Sequence, residues 1–174
     1  MEKSRMNRVN KQRGIGIIKL IALIPVILIG LVILAFIFTL LNKAYWDYRV
    51  RQMCEKDGGV TVYEKVELTE EEYKKYDGFM GAIIVPPETY SDTNKYLYLS
   101  KVEKEIIRKS NPSVYHRQAT VYRKSDGKKF GKVVNYHRGG GDFPTVISHP
   151  SGFDCKDMGI KLNVEQQIFS VKEN

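Results

Sequence analysis

Apolar positions divide the chain into two unlike parts. From Leu20 to Leu41 the sequence reads LIALIPVILIGLVILAFIFTLL, 22 residues with no charge and no amide side chain. The run predicts a helix that is apolar on every side. At 1.5 Å per residue it is about 33 Å long, enough for the roughly 30 Å hydrocarbon core of a bilayer. Pro25 and Gly30 lie inside it. Spanning helices tolerate both residues, whereas a proline inside a soluble helix costs about 3 kcal/mol.

Beyond the run the pattern becomes that of a water-soluble domain. Trp46, Val50, Met53 and Cys54 recur at helical spacing, so the helix is expected to continue with one apolar face until Gly58-Gly59 stops it. Residues 60–68, VTVYEKVEL, predict a first strand. Thr69 followed by Glu72 is a capping-box pattern that opens a short helix to about Tyr76, ended by Asp77-Gly78. Met80 to Val85 is a brief apolar run, broken by Pro86-Pro87, and residues 88–95 read as a loop. Residues 96–109 predict one or two strands. Ser100 and Glu103 also fit a capping box, so a helix over 101–109 stays open. Residues 114–124 and 129–137 predict strands joined by the turn Ser125-Asp126-Gly127-Lys128, after a turn at Asn111-Pro112. Loops are expected at 138–142 and 149–152, and one or two closing strands over 160–164 and 167–171.

The expected fold class is therefore α+β: a transmembrane helix, then one small domain with an antiparallel sheet of four to six strands and one or two short helices. Residues 1–19 form a basic tail, 20–42 the span, 43–57 a helical extension and 58–174 the domain.

Charge then sets a direction. The chain carries a net +8. Residues 1–43 hold seven Lys or Arg and one acid, while residues 44–174 hold 21 and 19. Most of the basicity thus precedes the span, as the positive-inside rule expects of a cytoplasmic N-terminus. It is not a nucleic-acid footprint, and no nucleic-acid partner is expected. Lys19 on one side, and Tyr45, Trp46 and Tyr48 on the other, suit the two membrane interfaces. The apolar run is longer than a signal peptide's, and Leu41-Asn42-Lys43-Ala44 is a poor cleavage site. These features favour an uncleaved signal anchor in the inner membrane with a periplasmic domain. That domain is itself asymmetric: residues 44–100 sum to −4 and residues 101–174 to +6. Two solvated faces explain this; a basic patch for an anionic partner is the alternative.

Cys54 and Cys155 both follow the span. A pair of cysteines in an oxidising compartment predicts a disulfide. It would close a loop of about 100 residues and tie the C-terminal part of the domain to the helix leaving the membrane.

Candidate chemistry gathers in residues 135–157. His137, Arg138, Gly139, Gly140, Gly141, Asp142 and His149 form a candidate binding loop. His137, Asp142, His149 and Asp154 have no zinc-signature spacing, so no metal is expected. The glycines are not followed by the Lys and Ser/Thr of a phosphate loop. A thiolate nucleophile is removed by the disulfide. No catalytic set and no cofactor is expected. The bilayer is the first partner, and an envelope protein or anionic ligand the second; the oligomeric state is open.

Lys11-Gln12-Arg13-Gly14 before an apolar helix resembles the leader of type IV pilins and pseudopilins. That resemblance implies a long apolar helix leading into an antiparallel sheet, and often a C-terminal disulfide. The fifth residue after the glycine is usually Glu in that family and here is Lys19, which speaks against a polymerising subunit. Cys54 to Gly59 followed by Val62-Tyr63-Glu64, and Gly139-Gly140-Gly141 before His149-Pro150 and Cys155, are similar to a group of membrane-anchored bacterial envelope proteins with no known activity. The expected role is binding or scaffolding by an exported domain. A pilin-like subunit and a metal-dependent hydrolase are the alternatives.

Overall fold

The computed structural model describes residues 2–75, 86–91, 93–143 and 150–172, with side chains from residue 23 onward except Lys75. The expectations for 76–85 and for His149 lie outside the described residues. The chain falls into two compact units, Met1–Leu41 and Asn42–Asn174. Helix α1 runs Glu2–Asp57 and crosses that boundary.

In the first unit, α1 is long and apolar enough to cross a membrane. Its most apolar 18-residue window has mean hydropathy 3.0, and none of it is buried by protein. A core helix of a soluble protein would be covered; this one presents Leu34, Phe38 and their neighbours outward. Pro25 lies within the helix without ending it.

The second unit is α+β, as expected. Strands β1 (Gly59–Val62), β3 (Tyr98–Arg108), β4 (Ser113–Arg123), β5 (Lys129–Gly139) and β6 (Gly152–Asp154) form one antiparallel sheet. Its order is β1-β5-β4-β3, with β6 pairing the far end of β5. Strands β2 (Val66–Leu68) and β7 (Phe169–Val171) make a separate parallel pair. The short helices are α2 (Glu70–Lys75) and α3 (Val164–Ile168). The capping box opens α2 as expected: the Glu72 amide donates to Thr69 Oγ1 at 3.2 Å, and the Thr69 amide to Glu72 Oε2 at 3.0 Å.

Local reading fails in three places. Residues 60–68 are two strands, not one: the amides of Tyr63 and Glu64 both donate to the Phe130 carbonyl, and the chain leaves the sheet there. The strand reading of 96–109 holds and the helix left open over 101–109 does not form, because β3 pairs with β4 from Tyr98↔Arg123 to Ile106↔Tyr115. Sheet pairing overrides a local cap. Arg138 and Gly139 extend β5 instead of opening a loop, since β6 supplies them with partners. Residues 160–163 are not strand, and the expected 167–171 strand begins only at Phe169, after α3.

Alternation along β4 and β5 gives the sheet two apolar faces. On one, Val121 and Phe130 pack with Leu68, Val164, Ile168 and Phe169. On the other, Val114 packs with Val50, Cys54 and Cys155, flanked by Trp46, Met53 and Tyr136. The helical face of residues 46–54 thus covers the second side of the sheet. Cys54 and Cys155 are disulfide-bonded there, with Cα atoms 5.4 Å apart. Gly58 makes this approach possible: a Cβ on it would stand 2.8 Å from the Cys54 Cα and 3.0 Å from Cys155 Sγ. Gly59 follows at φ +105°, a turn that favours glycine.

Candidate functional site

The glycine-rich segment divides between two tasks. Arg138 is 1 % exposed. Its Nε donates to Asp47 Oδ1 at 2.7 Å, and its Nη1 donates to the carbonyls of Gly140 and Ser151 and to Ser151 Oγ. A charge this deep is stable only when paired and hydrogen-bonded. Asp142 accepts from Lys43 Nζ at 2.6 Å, from the Ser151 amide at 2.6 Å and from Ser151 Oγ at 3.0 Å. Gly140 and Gly141, at φ +80° and +86°, turn the chain so that the Gly141 amide can donate to Asn111 Oδ1. Arg108 lies 4.7 Å over the Trp46 ring. Arg138 and Asp142 thus fasten residues 43–47 of α1 to the sheet, and the Arg138 Nε and Nη1 donors are spent within the protein.

The Ser151–Asp142–Lys43 contact superficially resembles a nucleophile with its base. Asp142 is unsuited to that role: the Lys43 ammonium, then the Ser151 amide, hold its carboxyl down at about 2. Such a group stays ionised and is a poor base at neutral pH. Because its folded-state value is below the usual one, its stabilisation is complete above about pH 4 and is lost as pH falls towards 2. Asp142→Asn should therefore flatten the stability–pH profile of the full chain between about pH 4 and 2. Equal slopes for both proteins in denaturant titrations would exclude this. Tyr136, whose hydroxyl donates to Asp57 Oδ2 at 3.1 Å, is pushed up to about 12 by burial and that carboxylate, so it remains a donor.

His137 has the opposite parity and points to the other face. Its ring stacks on Tyr115 at 4.8 Å between centroids, its Nδ1 is 3.8 Å from Asp154 Oδ2, and Lys104 Nζ sits 4.1 Å from the Tyr115 centroid. His116 is half-buried against Tyr136. Among the described residues no three His, Cys, Asp or Glu side chains gather as metal donors.

Of the residues assigned to membrane interfaces, Tyr45 and Tyr48 are 53 % and 56 % exposed. Trp46 is half-buried instead, spent on the cluster around Val50 and Cys54. The Lys19 side chain lies outside the described set.

One further feature was not foreseen in the sequence. Where α3 meets the His137 side of the sheet there is a cavity of about 220 Å³. Ala119, Val133, Leu162 and Val164 give it an apolar floor, and Arg117, Asn135 and Glu165 a polar rim. The β4–β5 register, Arg117↔Asn135 and Ala119↔Val133, puts the four sheet residues side by side. Asn135 Oδ1 accepts from the Cys155 amide at 3.2 Å, which orients the amide. Alternation in Tyr115-Arg117-Ala119 hints at a polar patch on this face. The far wall was illegible, because residues 160–164 read as a strand. No protein-family model, curated protein or solved structure matches the chain.

Proposed function

We propose that this is a single-pass membrane-anchored envelope protein with its N-terminus in the cytoplasm and its disulfide-bonded domain exported, acting by binding or scaffolding. The observation that carries the reading is the pairing of an uncovered apolar helix with a buried disulfide in the unit that follows it. A disulfide suits an oxidising compartment, and the basic tail suits a cytoplasmic start. Binding is favoured over catalysis because Arg138 is paired with Asp47 and Asp142 with Lys43, leaving, among the described residues of that segment, no free carboxylate base beside Ser151.

Fusion reporters after Asn174 test the topology. A reporter that works only outside the cytoplasm should be active, and a cytoplasm-only reporter silent; the reverse result overturns the reading. Sequencing the mature N-terminus should find residues before Leu20 still attached. A start at Ile15 would instead promote a pilin-like subunit.

A further inference from the structure

The cavity between α3 and the β4–β5 strands holds two charged groups of opposite sign that do not neutralise each other. Among the described residues, neither Arg117 nor Glu165 has an ion-pair partner. Burial raises the Glu165 carboxyl above its usual range, and only its own backbone amide opposes this. Such a carboxylate has given up part of its water without gaining a counter-charge. On the other side, Asn135 has committed its carbonyl oxygen to the Cys155 amide, so its NH₂ is what remains to be offered. Arg117 and Asn135 are neighbours across the β4–β5 ladder and form a donor pair. The rim is thus a donor side and an acceptor side over an apolar floor.

We propose that this cavity binds a small zwitterion, a molecule carrying one carboxylate and one ammonium on a small apolar body. The carboxylate would accept from the Arg117 guanidinium and Asn135 Nδ2, and the ammonium would donate to Glu165. The size limits the choice: about 220 Å³ is below the roughly 300–1,000 Å³ of pockets that take whole drug-sized molecules or cofactors. An amino acid with a small side chain, or a short peptide with free ends, has the required chemistry. The disulfide takes part indirectly, because the Cys155 amide is the group that turns Asn135. The inference rests on the binding role proposed above. A failed titration alongside the expected reporter result would overturn the ligand and leave the anchor standing.

The test is calorimetric titration of the full chain in detergent with glycine, L-alanine, D-alanine and L-alanyl-L-alanine. N-acetyl-L-alanine and L-alaninamide, each lacking one charge, serve as controls. At least one zwitterion should bind, and both controls should bind about 10- to 100-fold more weakly, the value of one charged hydrogen bond. Binding of alanine assigns a free amino acid as the source, and binding of the dipeptide alone assigns a peptide. Arg117→Gln should weaken the zwitterion by a similar factor and abolish the preference over L-alaninamide. Glu165→Gln should abolish the preference over N-acetyl-L-alanine. Arg117 is exposed and Glu165 partly so, which leaves the cores intact in both variants. Equal binding of either single-charge control, unchanged affinity in both variants, or no heat with any zwitterion would overturn the proposal.

Discussion

Loss of the Cys54–Cys155 bridge is expected to destabilise the domain by about 4–5 kcal/mol. The two residues are 101 positions apart, so the bond closes most of the second unit into one loop. In the chain-entropy model a loop of that length gives this magnitude, because the unfolded chain loses freedom that the folded chain never had. Both sulfurs lie in the cluster with Val50 and Val114, at 1 % and 0 % exposure. Substitution by Ala therefore adds a small packing loss. Since a domain has only about 5–15 kcal/mol in total, a large share of the stability is at stake. Cys54→Ala and Cys155→Ala should each cost about as much as the double change, because the same single bond is lost every time. Urea unfolding of the full chain in detergent, followed by circular dichroism, measures this. Additive costs, or single variants as stable as the parent, would refute it.

Arg138→Met should be the next most damaging change, by about 3 kcal/mol. The guanidinium is almost wholly buried and has four acceptors: Asp47, the Gly140 and Ser151 carbonyls and Ser151 Oγ. Removing it orphans those acceptors, and breaking a buried pair typically costs about 3–5 kcal/mol. The lower end applies because the Asp47 side chain keeps 30 % of its exposure and can regain water. Asp47→Asn should cost less, as Arg138 retains its other three acceptors. The double variant should fall short of the sum of the two, with the shortfall measuring the pair itself. The same unfolding measurements decide it. An Arg138→Met protein within about 0.5 kcal/mol of the parent would show that the network contributes nothing net.

Arg138 also shows where sequence reading stops. Beside three glycines, an arginine reads as part of an open loop. The structure buries it, because β6 extends the sheet past His137 and residues 43–47 of α1 lie over that end. No local pattern announces a partner 91 positions away. Trp46 is similar. An aromatic just after an apolar run suits a membrane interface, yet its ring packs under Arg108 and beside Val50. Local readings that rest on short-range chemistry fare better. The α2 cap and the turn at Ser125–Lys128 depend on residues within three positions of each other, and both form as expected.

The apolar helix, the amphipathic face of residues 46–54 and the strands β4 and β5 follow from the sequence alone, because each is encoded by periodicity within one segment. The division of residues 60–68 between two sheets, the strand at 101–108 and the short α3 were decided by tertiary contacts. Only over 101–109 was the local signal ambiguous; in all three a partner strand or core distant in the chain settled the outcome. The cavity rim belongs wholly to that second class. Arg117, Asn135 and Glu165 lie on three separate elements, and only the sheet register and the packing of α3 against it bring them to one place.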